Sequence, residues 1–330
     1  MINDVTVAVV PRETISESAK QLKTMIEHSP KGTPFIVVTG GYSDGVVAEL
    51  RELTASVGGE LISKPGFLTP NQGRNLALAA VKTKYVVFID NDVTVSPNWL
   101  EPLVDCAQST GAALVSPLVY EFYPQFTRVH MAGGEASIPQ RPNGKLGFHE
   151  KHLMPHEVAD TSGLHRMQTE LVEFHTLLIE TEWLRAQGGL DERVCSFAEH
   201  WDLCILAAQS GRTVWLEPAS RVNYSPPKKL TAEDVRFYEL RWSPEWFGIS
   251  LDRLVEKYNL DPQDEPLRET WRWLRNHRSH RHTGLKKRLR PVLGRHLSDQ
   301  VAKHWLMPII DRFGSHRQKD FASWERTAQH

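Results

Sequence analysis

Short apolar runs alternate with longer segments of helical periodicity along roughly the first 115 residues. In the longer segments apolar residues recur every three or four positions, as Leu22, Met25 and Ile26 do, which predicts amphipathic helices. The apolar runs are continuous rather than alternating, which indicates strands buried on both faces, as in a parallel sheet flanked by helices. Repeated strand–helix units predict an α/β doubly wound domain. The predicted strands are 5–10, 34–40, 59–63, 84–90 and 112–120, and the predicted helices are 16–28, 45–58, 71–83 and 96–108.

The rest of the chain falls into three parts. Residues 121–170 are rich in Pro, Gly and His with little periodicity, and so long an irregular stretch is typical of a lid or binding loop. Strand and helix signals return over 169–218. After a Pro-containing boundary the pattern is helical. We therefore expect one α/β domain in 1–225, partly closed by 121–170, and a helical C-terminal extension in 226–330.

Composition and charge narrow the class of protein. The chain has 330 residues, of which 40% are hydrophobic and 24% charged, as in ordinary soluble globular proteins. The formal net charge of −1 gives no indication of nucleic-acid binding. The three cysteines have no pairing or metal-ligating spacing, and the N-terminus does not resemble a signal peptide. No stretch approaches about 18 apolar residues, so we expect a cytoplasmic protein without a membrane span.

Two carboxylates, Asp90 and Asp92, follow the apolar run that starts at Tyr85. On extended backbone, residues i and i+2 point to the same side, so both can face one point beyond the strand. Ligands of open α/β sheets bind at the carboxyl ends of strands, and paired carboxylates suit Mg²⁺ or Mn²⁺. Such an ion neutralises the charge that develops on a departing nucleoside diphosphate. The alternative is a turn rich in Asp and Asn that merely ends the strand.

The segment VVFIDNDVTVSPNWLEPLV, which contains this pair, resembles the Asp-x-Asp region of the GT-A glycosyltransferases, in particular the large family 2 of inverting enzymes. Other segments resemble that family in the same order. VTVAVVPRE is similar to its opening strand, and FIVVTGGYSDG to its second strand with a Ser-x-Asp-Gly-like turn. NQGRNLALAAVKTK is similar to the stretch before the Asp-x-Asp motif, and GGLDERVCSFAEHWDLCILAAQSG to the acceptor-side segment. The resemblance covers about two thirds of the chain.

The resemblance implies a GT-A fold with a nucleotide-sugar-binding half in 1–118 and an acceptor half in 119–225. It implies Mn²⁺ or Mg²⁺ on Asp90 and Asp92, and a nucleoside-diphosphate sugar of UDP, GDP or dTDP type as donor. Thr39 replaces the Asp that commonly contacts the base in this family, so the motif does not specify the base. The residues implied in donor binding are Val10, Pro11, Glu13, Thr39, Asp44, Arg74, Asn75, Asp90 and Asn91.

Inverting transfer requires a general base for the attacking hydroxyl. The resemblance locates it in AEHWD, where Asp202 and Glu199 are preferred to His200, which stands where the family usually has a second acid. Glu199 and Asp202 are three residues apart and share one face of a helix's first turn. Stabilisation of the helix dipole is the alternative explanation for these acids. The residues implied on the acceptor side are Glu173, His175 and Trp201.

Three histidines have a loosely metal-like spacing, namely His149, His152 and His156. They lie in the irregular stretch rather than on a helix face. This placement favours loop histidines in contact with an acceptor over a zinc site.

Segment 271–290 contains eight Lys or Arg residues, three His and no acid. A solvated helix face explains this composition. A patch for peripheral contact with an anionic membrane, or for a polyanionic acceptor, explains it too. Trp271, Trp273 and Leu274 supply apolar contact either to such a surface or to the catalytic domain.

The absence of GxxxxGK[ST] and GxGxxG motifs disfavours kinases and dehydrogenases. A sugar-1-phosphate nucleotidyltransferase is disfavoured because 8–20 lacks a Gly-rich loop with a basic residue for a triphosphate. A non-catalytic nucleotide- or carbohydrate-binding protein on the same scaffold stays open, because Thr39 and His200 depart from the motifs. The preferred hypothesis is an inverting glycosyltransferase whose acceptor is a glycan, a lipid-linked glycan or a small molecule.

Overall fold

The computed structural model describes residues 4–154, 160–225, 230–280 and 283–301, together with 305 and 309. The strands are β1 (Val5–Val10), β2 (Phe35–Gly40), β3 (Glu60–Lys64), β4 (Tyr85–Asp90), β5 (Val93–Val95), β6 (Leu114–Glu121), β7 (Val129–Met131), β8 (Gly134–Ser137), β9 (His149–His152), β10 (Met167–Thr169), β11 (Thr176–Glu180) and β12 (Val214–Tyr224). The helices are α1 (Ser18–His28), α2 (Asp44–Ser56), α3 (Pro70–Ala80), α4 (Leu100–Thr110), α5 (Thr181–Ala186), α6 (Glu199–Gln209), α7 (Ala232–Arg241), α8 (Pro244–Tyr258), α9 (Glu265–His280) and α10 (Thr283–Val301).

The main sheet has the strand order β10-β12-β6-β11-β4-β1-β2-β3, with β5 and β7 paired on β12 and β6. Strands β3, β2, β1 and β4 are mutually parallel, as the continuous apolar runs predict. In the other half β11 runs antiparallel to both β4 and β6. The sheet is therefore mixed rather than mostly parallel, because a strand buried on both faces has the same apolar composition in either direction. The predicted α/β architecture is confirmed.

The parallel half brings the motif residues to one edge of the sheet. Val10 pairs directly with Asp90, so the loop after β1 begins beside the carboxylates. Thr39 lies near the end of the adjacent strand β2. Helix α3 begins at the same edge, where Thr69 and Gln72 form a capping box that satisfies its first backbone N–H groups.

The irregular stretch 121–170 contains short strands rather than one long loop. Strand β7 pairs with β6, β10 pairs with β12, and β8 and β9 form a separate two-stranded sheet. Strands of three or four residues are too short to show a period in the sequence.

The C-terminal helices α7, α8 and α9 pack on the α/β domain. Trp242, Phe247, Leu254 and Leu274 are buried in the same apolar core as the sheet. Trp271 packs edge-on against Phe247, with ring centroids 5.0 Å apart. Trp271 and Leu274 therefore have the packing role predicted for the apolar residues of 271–290, whereas Trp273 is exposed. In the described part of the chain, no helix combines the length and the apolar character that crossing a membrane requires.

Candidate active site

The first carboxylate of the predicted pair, Asp90, is fully buried and bound by cations. Arg12 Nη1 donates to its Oδ2 over 2.6 Å, and Arg74 Nη2 donates to its Oδ1 over 3.3 Å. Burial opposes ionisation, but Arg12, His175 and Arg74 outweigh it and lower the pKa of Asp90 to about 2. Asp90 is therefore an anion that already has partners.

The second carboxylate, Asp92, is equally buried but poorly satisfied. Thr14 Oγ1 donates to its Oδ2 over a long 3.4 Å, and its Oδ1 has no hydrogen-bond partner among the described residues. Burial, and then the neighbouring charge of Asp90, raise the pKa of Asp92 to about 8. A carboxylate oxygen buried without a donor is what a cation ligand looks like before the ion binds.

Asn91 points away from these carboxylates, as alternation along the backbone requires. Its side-chain amide donates to Thr14 O, Ser18 Oγ and Tyr42 OH, and its oxygen accepts from the backbone N–H of Arg12. Asn91, predicted to bind donor, thus fastens the loop after β1 to the carboxylate segment.

Three arginines, Arg12, Arg74 and Arg241, lie around the carboxylates. Arg74 is buried, and this burial lowers its pKa to about 10 despite the attraction of Asp90. Arg241, at the end of α7, is also buried and reaches Glu13 over 3.5 Å. Its Nη1 has no hydrogen-bond partner in the described part of the chain. This edge of the sheet therefore has cationic groups suited to a diphosphate.

The two acids proposed as general base lie at the start of α6 and have different surroundings. Glu199 is buried and accepts from Arg241 Nη2 over 3.3 Å. Burial opposes its ionisation, but Arg241 and Arg74 outweigh this and lower its pKa. Asp202 accepts from Lys257 Nζ over 2.7 and 2.9 Å, and from Tyr258 OH over 2.7 Å. Glu199 thus faces the arginines, whereas Asp202 binds helix α8.

The remaining candidates of the acceptor side also differ from one another in the groups that they contact. His175 connects the two halves, since its Nδ1 lies 3.5 Å from Asp90 Oδ2 and its Nε2 lies 3.2 Å from Glu173 Oε2. His200 lies 3.3 Å from Glu150 Oε1, and Glu150 raises its pKa against the opposing effect of burial. Trp201 is fully buried and donates to the backbone carbonyl of His149, so its contacts are those of a core residue.

The other residues implied in donor binding lie near the same edge. Val10 and Pro11 are buried, and Thr39 donates to Ser63 Oγ over 2.9 Å. Asn75 exchanges hydrogen bonds with the backbone of Leu190, which holds the Gly-Gly-x-Asp-Glu segment in place.

Asp44 is exposed at the first residue of α2. The structure therefore does not bring it into contact with the arginines or with the carboxylate pair, and its place in donor binding stays a prediction.

Sequence reasoning missed several side chains of the site. Arg12 stands between two residues that the motif did identify, so its position was available. Arg241 and Trp242 belong to no motif. Trp242 Nε1 donates to Glu13 Oε1 over 2.8 Å, and Tyr224 OH lies 3.4 Å from Glu13 Oε2. No local signal connects these residues to Glu13, because they lie more than 200 positions away along the chain.

Comparison with known proteins defines the class. Residues 12–170 match the family model described as glycosyl transferase family 2. This match confirms the resemblance of residues 12–170 to that family.

The chain is also similar to pre-mycofactocin glycosyltransferase of Mycobacterium tuberculosis, in both the CDC 1551 / Oshkosh and the H37Rv strain, with 27% identity over 231 residues. The alignment covers 69% of this chain and 44% of that relative, so the chain spans less than half the length of these curated relatives.

Two solved structures have the same fold. The structure of GalNAc-T7 with UDP, GalNAc and Mn²⁺ aligns with a TM-score of 0.54 and 15% identity, covering 85% of this chain and 57% of that one. The mannosyltransferase PcManGT of Pyrobaculum calidifontis, in complex with GDP-Man and Mn²⁺, aligns with a TM-score of 0.50 and 15% identity, covering 82% and 70%. At this identity the similarity shows the GT-A fold.

Proposed function

We propose that this chain transfers a sugar from a nucleoside-diphosphate sugar to an acceptor hydroxyl, with inversion at the anomeric carbon. The observation that carries the proposal is the Oδ1 atom of Asp92, which is buried without a hydrogen-bond partner among the described residues, at the edge where the sheet's parallel strands end. Buried polar atoms without a hydrogen-bond partner are rare in folded proteins. This oxygen lies beside cationic side chains, so the site suits a ligand that brings a cation for Asp92 and an anionic group for the arginines.

Asp92 and Asp90 would hold Mn²⁺ or Mg²⁺, since carboxylate oxygens are the ligands these ions prefer. When bound, the cation supplies Lewis-acid neutralisation of the leaving diphosphate. Asp92 fits this role in its present surroundings, whereas Asp90 already has Arg12 and Arg74 as partners. The Mn²⁺ complexes of GalNAc-T7 and PcManGT support a divalent cation by analogy.

The arginines account for the rest of the diphosphate's charge. Arg241 has a buried nitrogen without a hydrogen-bond partner in the described residues, and it lies between Glu13 and Glu199. A planar guanidinium binds phosphate oxygens through two parallel N–H groups. Because Arg241 belongs to α7, the C-terminal extension contributes to the donor site in this proposal.

Glu199 is the favoured general base. Its lowered pKa keeps the carboxylate ionised, and it faces the arginines of the donor edge. The pKa of His200 is raised, which favours its protonated ring, whereas a general base must be unprotonated before it accepts a proton. Asp202 is occupied by Lys257 and Tyr258.

The donor is proposed to carry UDP, GDP or dTDP, and the acceptor to be a glycan, a lipid-linked glycan or a small molecule. Complexes with UDP and with GDP-Man among the structural neighbours support a nucleotide-sugar donor. The relatives named pre-mycofactocin glycosyltransferase support the transfer of a sugar to an acceptor, but their name does not identify the acceptor of this chain.

Release of nucleoside diphosphate from a panel of UDP-, GDP- and dTDP-sugars tests the proposal. We expect one nucleotide class to be released, with Mn²⁺ or Mg²⁺ present, and the release to stop when a chelator is added. The same nucleotide and ion together should raise the melting temperature more than either alone.

Asp252→Asn removes a carboxylate from an exposed position on α8 and is the control for substitutions in the carboxylate pair. It should release nucleotide at the rate of the unmodified chain. Tight nucleotide binding without release from any sugar in the panel would instead favour the non-catalytic alternative.

A further inference from the structure

A cluster of histidines and glutamates lies beside the donor site and is separate from its carboxylate pair. We call His130, His152, Glu173, Glu121 and Glu150 the His/Glu cluster. His130 lies in β7, His152 ends β9, and Glu173 lies between β10 and β11. Each is only partly exposed, with side-chain exposures of 19% for His130, 23% for His152 and 12% for Glu173. Three segments distant along the chain therefore converge at a point that solvent can reach.

The inner three residues have the ligand types and spacing of a transition-metal site. His130 Nε2 lies 3.1 Å from Glu173 Oε2, and His152 Nδ1 lies 3.5 Å from Glu173 Oε1. One ligand atom from each of the three residues lies within 4.8 Å of the others. Tetrahedral zinc with bonds of about 2.0–2.1 Å places its ligand atoms roughly 3.4 Å apart, which is close to both distances measured to the Glu173 carboxylate.

The outer two residues orient the histidines. His130 Nδ1 lies 3.0 Å from Glu121 Oε2, and His152 Nε2 lies 2.9 Å from Glu150 Oε1. In zinc proteins the ring nitrogen that does not bind the metal typically meets a carboxylate in this way, which fixes the tautomer and the ring orientation. Both histidines therefore direct their other nitrogen towards Glu173.

We propose that His130, His152 and Glu173 form a site for one transition-metal ion, Zn²⁺ by preference, with the fourth position open to water. Two imidazoles and one carboxylate favour Zn²⁺ over Mg²⁺ or Mn²⁺, which take oxygen ligands. The site shares no ligand with Asp90 and Asp92, because His175 lies between them, in contact with Asp90 on one side and Glu173 on the other.

A second set of three, Glu150, His152 and His200, also lies within 4.8 Å. It uses the opposite nitrogen of His152, and it turns Glu150 from an orienting residue into a ligand. The set centred on Glu173 is preferred, because there both histidines have a carboxylate on the nitrogen that faces away from the metal.

The ion connects β7, β9 and the segment before β11. These segments lie in the part of the sequence that lacks apolar periodicity, and an ion bound to all three would connect them. A metal that binds only the folded chain stabilises it by mass action, so Zn²⁺ should raise the melting temperature by several degrees.

Zinc binding by the full chain, freed of metal with a chelator and then of the chelator, tests the proposal without nucleotide or sugar. We expect one Zn²⁺ per chain in competition with a chromophoric chelator, and Co²⁺ should give the visible spectrum of a four-coordinate site. His130→Ala should abolish binding, and Glu121→Gln should weaken it about 10- to 100-fold. His149→Ala is the matched control, because His149 lies on the same strand as His152 and is paired with Glu135 at the surface.

Failure of the unmodified chain to bind Zn²⁺ would overturn the site, and so would equal losses in His149→Ala and His130→Ala. Loss in His200→Ala with retention in His130→Ala would overturn the ligand assignment. If His130→Ala is unfolded by circular dichroism, the stoichiometry of the unmodified chain and the Glu121→Gln affinity decide. Asp92→Asn should bind Zn²⁺ normally, so this result is separable from failure of the proposed transferase activity.

Discussion

Two buried aspartates, Asp92 at the edge of the sheet and Asp202 in α6, have opposite surroundings. Asp92 has one oxygen without a hydrogen-bond partner among the described residues. Both oxygens of Asp202 accept from Lys257, and Tyr258 adds a third hydrogen bond. A buried carboxylate whose hydrogen-bonding capacity the protein does not fill is a candidate for ligand binding. A buried carboxylate whose oxygens are all hydrogen-bonded within the fold connects structural elements instead. The comparison separates two acids that residue type and burial alone do not distinguish.

The largest effect is expected for Asp92→Asn. We expect the rate of donor cleavage to fall by about 100- to 1,000-fold, the range found when one preorganised electrostatic contact to a transition state is removed. The melting temperature should not fall, because asparagine replaces a buried carboxyl that has few hydrogen bonds and that burial and Asp90 already keep from ionising. Nucleotide-release kinetics and thermal unfolding of the same preparation measure both quantities.

The control for that variant is again Asp252→Asn, which changes an exposed carboxylate. An Asp92→Asn protein that cleaves donor at the original rate contradicts the role of this oxygen and removes the basis of the comparison.

The second prediction concerns Asp202→Asn, whose main effect should be on stability. The change removes the nearer of the two anions of Lys257, whose Nζ also lies 3.7 Å from Asp191 Oδ2, and breaking a buried ion pair typically costs about 3–5 kcal/mol. Lys257 retains 19% side-chain exposure, so we expect the free energy of unfolding to fall by the smaller amount of about 2–3 kcal/mol. The shift of the urea midpoint measures it.

The rate of donor cleavage by the folded Asp202→Asn variant should stay within about threefold of the original, because Asp202 binds helix α8 rather than the arginines. A tenfold loss would correspond to about 1.4 kcal/mol of transition-state stabilisation. Glu199→Gln is the matched comparison in the same helical turn, and it should lose transfer to acceptor. A rate that collapses in Asp202→Asn at unchanged stability would make Asp202 the general base and reverse the assignment.

The sequence is informative about this site where the relevant contacts are local. The i, i+2 spacing of Asp90 and Asp92 predicts a shared side, and the same alternation turns Asn91 away. The strand pattern also predicts parallel strands, and in the structure Val10 at the end of β1 pairs directly with Asp90 at the end of β4.

Contacts between distant segments explain the rest. Glu199 and Asp202 share a helical face by spacing, yet Arg241 binds the one and Lys257 the other, from helices 42 and 55 positions further along. Ser16 illustrates the same limit. The predicted helix begins at Ser16, but α1 begins two residues later, and the Ser16 hydroxyl donates to Asp234 of α7. Local spacing carries no information on which distant helix covers a given residue.

The third prediction tests Arg241, the cation that α7 adds to the donor edge. Arg241→Lys keeps the charge but loses the planar fork that reaches both Glu13 and Glu199. We expect kcat/KM for donor cleavage to fall about tenfold, the equivalent of 1.4 kcal/mol. Arg236→Lys, at an exposed position of the same helix, is the control. Equal rates for the two variants would show that α7 contributes only packing.

The smallest effect is expected for Trp242→Phe, which sharpens the comparison from the side of the extension. Trp242 Nε1 donates to Glu13 Oε1 over 2.8 Å, and the indole is buried. Phenylalanine keeps most of the apolar contact but removes the donor, so the free energy of unfolding should fall by about 1–2 kcal/mol. Trp273→Phe, at a residue that is 43% exposed, should change it by less than about 0.5 kcal/mol. Urea midpoints measure both variants. If they shift equally, the indole N–H does not contribute beyond packing. If only Trp242→Phe shifts, Glu13 belongs with Asp202 among the carboxylates that attach the C-terminal helices, and Asp92 is left as the acid that the fold does not satisfy.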